Sequence, residues 1–567
     1  MLSTRGTCTF LLLLAACGCR NDAPPPAADP PPEKADGPAW FEDITDRAGL
    51  NFVHDPGDVA KYLMYQCVGS GCAIVDLDGD GRPDLLLLSN AGPGANSTNR
   101  LYHQKADRTF EDVSAGSGLD FAGHNMGVAV GDLDNDGRPD LILTQVNGAK
   151  VLLNRGGMRF EDVTKQSGLQ NPMWGTSVAI FDFDRDGRLD VFVANYVDYD
   201  PSWPCISATG AKDYCAPKVF HGTASKLFRN RGTNPVTFED ATVSSRIGER
   251  AGPGLGVAVF DCDGDGWPDV FVANDGKPNH LWFNKRDGTF AEEAASRGAA
   301  MTALAQAFAG MGVALGDLDN DGLFDLYVTH LASETNTLWR QHPAGQFQEA
   351  TAAWSLTATH WRGTGFGTLA ADFNNDGWLD LAIANGRVAR EPVPKKKPIL
   401  APHWEPYGER NQIFANTSQR SFRDISLNTP AFCGYDTVAR GLACGDVDGD
   451  GLLDLLVNAV GEKARLLKGV APERGNWIAV RAIDPRLKRD AIGARIIVRC
   501  GETIRTRLIA SSDSYLSAGP LVSHFGLGSS DRVDSFEVQW PDGSRESFQG
   551  VPAGQTIELL KGRGRTP

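Results

Sequence analysis

The pattern Asp-x-Asp/Asn-x-Asp-Gly-x-x-Asp occurs seven times, and no other feature narrows the fold so far. Its first residue falls at Asp76, Asp132, Asp182, Asp261, Asp317, Asp372 and Asp446, at spacings of 56, 50, 79, 56, 55 and 74 residues. A period near fifty with two long exceptions is one repeated unit carrying two insertions. In the clearest copy, Gly131–Leu143, carboxylates at alternate positions of a tight turn converge on one point. Asn135 and Gly137 stand where such a turn needs positive φ or a tightly folded backbone. Like charges so crowded repel unless a cation lies among them. An all-oxygen set without Cys or His selects Ca²⁺ ahead of Mg²⁺. An EF-hand is excluded, because the twelfth position from Asp132 is Leu143 rather than Glu. The flanks, Val128–Val130 and Leu141–Leu143, are short apolar runs that read as buried strands.

The candidate ligands of up to seven Ca²⁺ are Asp76, Asp78, Asp80 and Asp84; Asp132, Asp134, Asp136 and Asp140; Asp182, Asp184, Asp186 and Asp190; Asp261, Asp263, Asp265 and Asp269; Asp317, Asp319, Asp321 and Asp325; Asp372, Asn374, Asp376 and Asp380; and Asp446, Asp448, Asp450 and Asp454. Only the sixth set replaces a carboxylate, with Asn374. Seven divalent ions would offset most of the formal charge of −16. Catalysis needs one site, whereas this set recurs seven times on turns where two strands reverse, so its role reads as structural.

Two further motifs repeat between the loops. One is Phe followed by acidic residues and often Thr, as in Phe41–Thr45, Phe110–Asp112, Phe160–Asp162 and Phe238–Asp240. The other is a Leu-aromatic pair, as in Leu101-Tyr102, Leu227-Phe228, Leu281-Trp282 and Leu338-Trp339. Each repeat then holds four strands: A before the loop, B after it, C with the Leu-aromatic pair, and D beginning at Phe. Seven four-stranded units read as a β-propeller. The last repeat lacks a D strand while an extra one, Phe41–Thr45, precedes the first loop, so the N-terminal strand is expected to complete blade seven beside Ala464–Leu467.

These motifs resemble the FG-GAP, or VCBS, repeats of integrin α-subunit propellers. The fold expected is all-β: a seven-bladed FG-GAP propeller over 39–470, closed by the N-terminal strand, plus a small C-terminal β-domain over 471–562. In that last segment Asp490–Ala494, Ser514–Ser517, His524–Gly528 and Val538–Gly543 resemble the ASPIC/UnbV domain, which follows FG-GAP repeats in the cartilage acidic protein group and in many bacterial exported proteins. The sequence departs from that pattern at Ala518-Gly519-Pro520. His524 reads as a packed structural residue, and Trp540–Gly543 as a hairpin turn.

Residues 1–16 read as a signal peptide: Arg5, a short apolar core at Phe10–Leu14, then Leu14-Ala15-Ala16-Cys17, which resembles the bacterial lipobox. Cys17 is the expected lipidation site, and 17–38 a Pro-rich tether. The chain is expected to be extracytoplasmic, held by lipid on a bacterial membrane, with Gly18 favouring the outer one. Export permits disulfides. Cys205 and Cys215, in one loop, are the best local pair; Cys67, Cys72, Cys433 and Cys444 are further candidates, while Cys262 and Cys500 read as buried thiols. The acidic charge disfavours nucleic acid. No HExxH, GxSxG, P-loop or CxxC is present.

Both insertions, Tyr196–Ser225 and Arg387–Arg410, lie between strands B and C, in blades three and six, and emerge opposite the calcium loops. Trp203, Tyr214, His403 and Trp404 on them are candidate ligand contacts. Six of the seven residues at the end of strand B are polar, and Asn195, Asn274, His330 and Asn385 are candidates for a ring on that face. The reading is a monomeric recognition module for a protein or glycan, more a binding protein than an enzyme. The alternative is a polysaccharide lyase or hydrolase using the propeller face or channel.

Overall fold

In the computed structural model, the described residues are 35, 37–207, 210–391, 400–418, 420–472 and 474–566. Cys17, the signal segment, nearly all of the tether and the Lys395–Lys397 run lie outside them. Among the described residues no helix is long and apolar enough to cross a membrane.

Seven four-stranded antiparallel sheets form from the repeats, each in the order A-B-C-D. In blade 1 these are Cys72–Val75, Asp84–Leu87, Arg100–Gln104 and Phe110–Asp112. Strands A and B are apolar runs because both faces are covered. Leu85 and Leu87 point into a cluster shared with blade 7, which includes Ala443, Val447 and Leu456. Leu86 joins Val128, Val130, Leu141 and Leu143 of blade 2. The alternation follows from the two-residue period of a strand.

The A strands touch one another in sequence around a ring, from Cys72–Val75 through the other blades to Ala439–Gly445, which contacts Cys72–Val75 again. Blade 7 takes its fourth strand from the far end of the chain. Phe41–Asp43 pairs antiparallel with Arg465–Gly469, with Phe41 opposite Gly469. There the Leu466 N–H donates to Thr45 Oγ1 at 3.0 Å. Ser114, Thr164 and Thr242 accept in the same way from Leu101, Val151 and Leu227 of strand C in blades 1, 2 and 3. The Asp of the motif ends strand D by accepting the N–H two residues on, from Thr45, Ser114, Thr164 and Thr242.

The blades are stitched by a residue the repeat reading passed over. In strand C of blades 1 to 6 this residue is Gln104, Asn154, Asn230, Asn284, Gln341 or Asn416. Each buried amide donates to a loop carbonyl of the preceding blade, on Val447, Leu77, Leu133, Phe183, Cys262 and Leu318 respectively, at 2.7–3.1 Å. Gln104 thereby ties blade 1 to blade 7. Blade 7 has Gly469 at this position, and Phe41 packs edge-on against Phe373 of blade 6 there.

The C-terminal domain has two sheets. Asn476–Asp484 pairs with Arg489–Asp490, Ser523–Gly528 and, in parallel, Gln555–Leu560; Arg495–Cys500 lies between Thr503–Leu508 and Ser535–Gln539, the latter joined to Arg545–Gln549. The expected hairpin turn at Trp540–Gly543 forms, with Gly543 at φ +84°. The domain sits over the acidic loops and shares a hydrophobic cluster with blades 1–3. From it Ser511–Ala518 runs into the centre of the ring. Ile74, Val128 and Val130 donate backbone N–H bonds to Ala518, Leu516 and Ser511 carbonyls at 3.0–3.1 Å, and Thr368 donates to Ser514 Oγ at 3.0 Å. A Cβ at Gly71 would lie 1.7 Å from the Leu516 carbonyl oxygen, so only glycine admits this approach.

Candidate metal centres and the insertion face

All seven loops share one backbone. Position six is a glycine at φ between +82° and +96°, and position four is also left-handed: Gly79, Asn135, Arg185, Gly264, Asn320, Asn375 and Gly449. The first Asp accepts the position-six N–H through Oδ2 at 2.7–3.1 Å. The Asp at position five accepts the N–H two residues on. These bonds curl the turn so that its carboxylates face inward.

The position-nine Asp, grouped with the ligands on spacing alone, also has a structural duty in every blade. Its Oδ2 accepts the N–H of loop residue two, at 2.8–3.1 Å. Its Oδ1 accepts an N–H from strand C at 2.7–3.1 Å. A carboxylate oxygen keeps a second lone pair, and Asp84 and Asp190 remain within ligating groups in blades 1 and 3.

Triads of ligand atoms within 4.8 Å of one another occur in the loops of blades 1, 2, 3 and 4, and in blade 1 His103 joins Asp78 and Asp80. Oδ1 of Asp134, Asp184, Asp261 and Asp317 is buried and accepts no hydrogen bond. Burial, helped by neighbouring carboxylates, pushes Asp132, Asp317 and Asp372 up to about 7, and Asp182 and Asp446 up to about 6. Buried, inward, unpartnered oxygens in a hard-donor set fit a divalent cation. In the sixth loop Asn374 Nδ2 donates to Asp376 Oδ2 at 3.0 Å.

The loops are chained sideways. Asn135, Arg185, Asn320 and Asn375 each donate to the position-six carbonyl of the next blade, on Gly187, Gly266, Gly377 and Gly451. The C-terminal domain adds its own cations. Arg495 donates to the Gly322 carbonyl and Arg505 to that of Gly377. Buried Arg489 interacts with Asp182 and Asp132, and buried Arg507 with Asp372 and Asp317. His524 meets Asn375 Oδ1 at 2.7 Å, the packed role expected of it. The legible signal for this interface was the run of basic residues between Arg486 and Arg507 beside an acidic propeller.

On the opposite face the two insertions meet. Tyr214 Oη lies 3.0 Å from His403 Nε2, and the Tyr214 and Trp404 rings stack at 6.0 Å. Tyr407 Oη donates to Asp213 Oδ1 at 2.6 Å, and the Arg390 N–H to Asp213 Oδ2 at 3.2 Å. Tyr214 and Trp404 are therefore buried in the joint, while Trp203 is 54% exposed. Cys205 and Cys215 are disulfide-bonded, with Cα atoms 5.2 Å apart. Cys67, Cys72, Cys433 and Cys444 are buried free thiols, as are Cys262 and Cys500.

The polar ring expected at the strand ends is corrected by burial. Asn195, Asn274, His330 and Asn385 all turn inward. The amides donate to the Ala224, Pro278 and Arg410 carbonyls, and His330 Nε2 contacts Thr337 Oγ1 at 3.1 Å. A strand end entering a loop leaves backbone groups unpaired, and these side chains satisfy them.

Comparison with known families matches residues 76–143, 138–193, 261–328 and 317–383 to the FG-GAP-like repeat, and 484–566 to the ASPIC and UnbV domain. The chain is thus an FG-GAP-repeat β-propeller with a C-terminal ASPIC and UnbV domain. It is homologous over most of its length to cartilage acidic protein 1. The Xenopus tropicalis protein is 28% identical over 502 residues, 83% of this chain and 70% of that one; the human protein is 26% identical over 520 residues, 87% and 71%. Among solved structures, an Agrocybe aegerita lectin specific for non-reducing terminal N-acetylglucosamine aligns with a TM-score of 0.40 at 15% identity, covering 71% of this chain and 95% of that chain.

Proposed function

We propose that this chain is an exported calcium-binding recognition module, tethered through lipid on Cys17 to a bacterial outer membrane, which takes a protein or glycan ligand on the insertion face. Side-chain oxygens at positions one, three and five of each loop, all carboxylates but Asn374, with the position-nine Asp behind them, would hold Ca²⁺ and so fix the A–B turn of each blade. The observation that carries the choice of face is occupancy. The C-terminal domain packs on the acidic loops of several blades, leaving that of blade 1 exposed, and Ser511–Ala518 runs into the centre of the ring. On the opposite face, among the described residues, Trp203 is exposed beside the joined insertions.

The test uses protein lacking residues 1–38, in Ca²⁺, on a glycan array and in crosslinking pulldowns. A ligand bound by the parent and lost with Trp203→Ala supports the reading. Binding indifferent to changes on this face overturns it. For the metal, chelation should lower the melting temperature, and Ca²⁺ should restore it further than Mg²⁺. For the anchor, Cys17→Ser in the full chain should move the protein to the soluble fraction.

A further inference from the structure

Beside the segment that enters the ring lies a cavity of about 700 Å³, bounded by the propeller and the C-terminal domain. Its mouth opens among exposed Asp78, Gly449 and Gln555. Its wall includes Val259, Leu315, Ala370, Leu508 and Val522, apolar side chains that are only half-buried. Protein interiors are ordinarily filled to crystal-like density, so apolar surface left bare inside a fold is a feature to be explained.

The charges on the wall are unequal in their commitments. Asp76, Asp78, Asp372 and Asp446 belong to the metal loops. Asp490 pairs with Arg481 at 2.5 Å, and Glu558 approaches the same guanidinium at 3.5 Å. Arg507 faces Asp372 and Asp317. Among the described lining residues this leaves one carboxylate outside both the metal loops and the ion pairs, that of Asp513. Its Oδ1 is buried and accepts no hydrogen bond. The carboxylate accepts from the Gly519 backbone N–H, and burial, the main cause, pushes it up to about 7, so a cation beside it would favour the charged form. Burial keeps the neighbouring Cys72 and Cys444 as neutral thiols that supply no charge.

We infer that this interdomain cavity binds a small organic cation, its ammonium on Asp513 and its apolar body against the wall of inner strands from blades 4, 5 and 6. The site is separate from the insertion face, so its occupancy does not depend on the ligand proposed there. An anion is disfavoured by Asp513 itself. A neutral apolar molecule would leave the carboxylate unsatisfied.

Calorimetric titration of the full chain, in saturating Ca²⁺ at pH 7.5, with butylammonium, butyrate and butanol separates these cases. Butylammonium should bind with at least tenfold preference over the other two, and Asp513→Asn should abolish that preference. Ala510→Leu, which reduces the cavity without removing the carboxylate, should weaken butylammonium binding, and serves if Asp513→Asn fails to fold. Equal binding of butyrate, butylammonium binding unchanged in Asp513→Asn or Ala510→Leu, or no butylammonium binding at millimolar concentration each overturns the inference.

Discussion

At the scale of single residues, polar side chains hold the ring as much as apolar ones. The strand-C amides were invisible to a search for chemistry, since Asn and Gln there resemble ordinary strand-end polarity and their partners lie in another repeat. Asn230 serves both the Leu133 and Leu189 carbonyls at 3.1 Å. Asn230→Ala leaves both unsatisfied and should lower stability by about 1–3 kcal/mol, read from the urea midpoint at constant slope. His54 and His330 give a second prediction. Burial, the main cause in each, depresses His54 to about 3 and His330 to about 4. Both enter the fold neutral, so their contribution is complete above pH 6.5 and is lost as pH falls through the window down to about 4 and 3. Stability should fall on acidification across that range, and the slope should be shallower in His54→Asn, by up to about 1.4 kcal/mol per pH unit.

At the scale of elements, the loop and its flanking strands were legible because every constraint is local. Positive φ at positions four and six, carboxylates at alternate positions and apolar runs on both sides all follow from a dozen residues. The fate of the strand-B ends was not legible, since whether Asn195 or Asn385 faces solvent depends on the loops that fold over it. The sixth loop is the odd element, because Asn374 contributes a neutral oxygen. On the proposed role of the loops in holding calcium, Asn374→Asp should tighten the sixth site, by about three- to tenfold if charge count governs affinity. A calcium titration of parent and variant checks this; unchanged affinities would mean that another group limits that site.

At the scale of the molecule, repeat counting implied seven blades, whereas the C-terminal domain's position over the loops and its segment in the channel could not be read from any repeat. Those contacts join residues far apart in the chain, 128 positions between Gly377 and Arg505 and 331 between Ile180 and Ser511. The shared blade 7 yields the last prediction. Removing residues 39–45 takes away the partner of Arg465–Gly469 and the buried Phe41 ring, and should cost about 3 kcal/mol or more, seen as a lower urea midpoint. The same pairing has a consequence for the newborn chain. Thr45 meets Leu466 across 421 residues, so a chain released N-terminus first carries an unmated strand until nearly all the other blades have emerged. That strand is three residues long and two of them are acidic, Glu42 and Asp43. Brevity and charge are what keep a bare strand from annealing to the wrong edge. Its weakness as an isolated strand is thus what lets it wait for a partner in the last blade to be made.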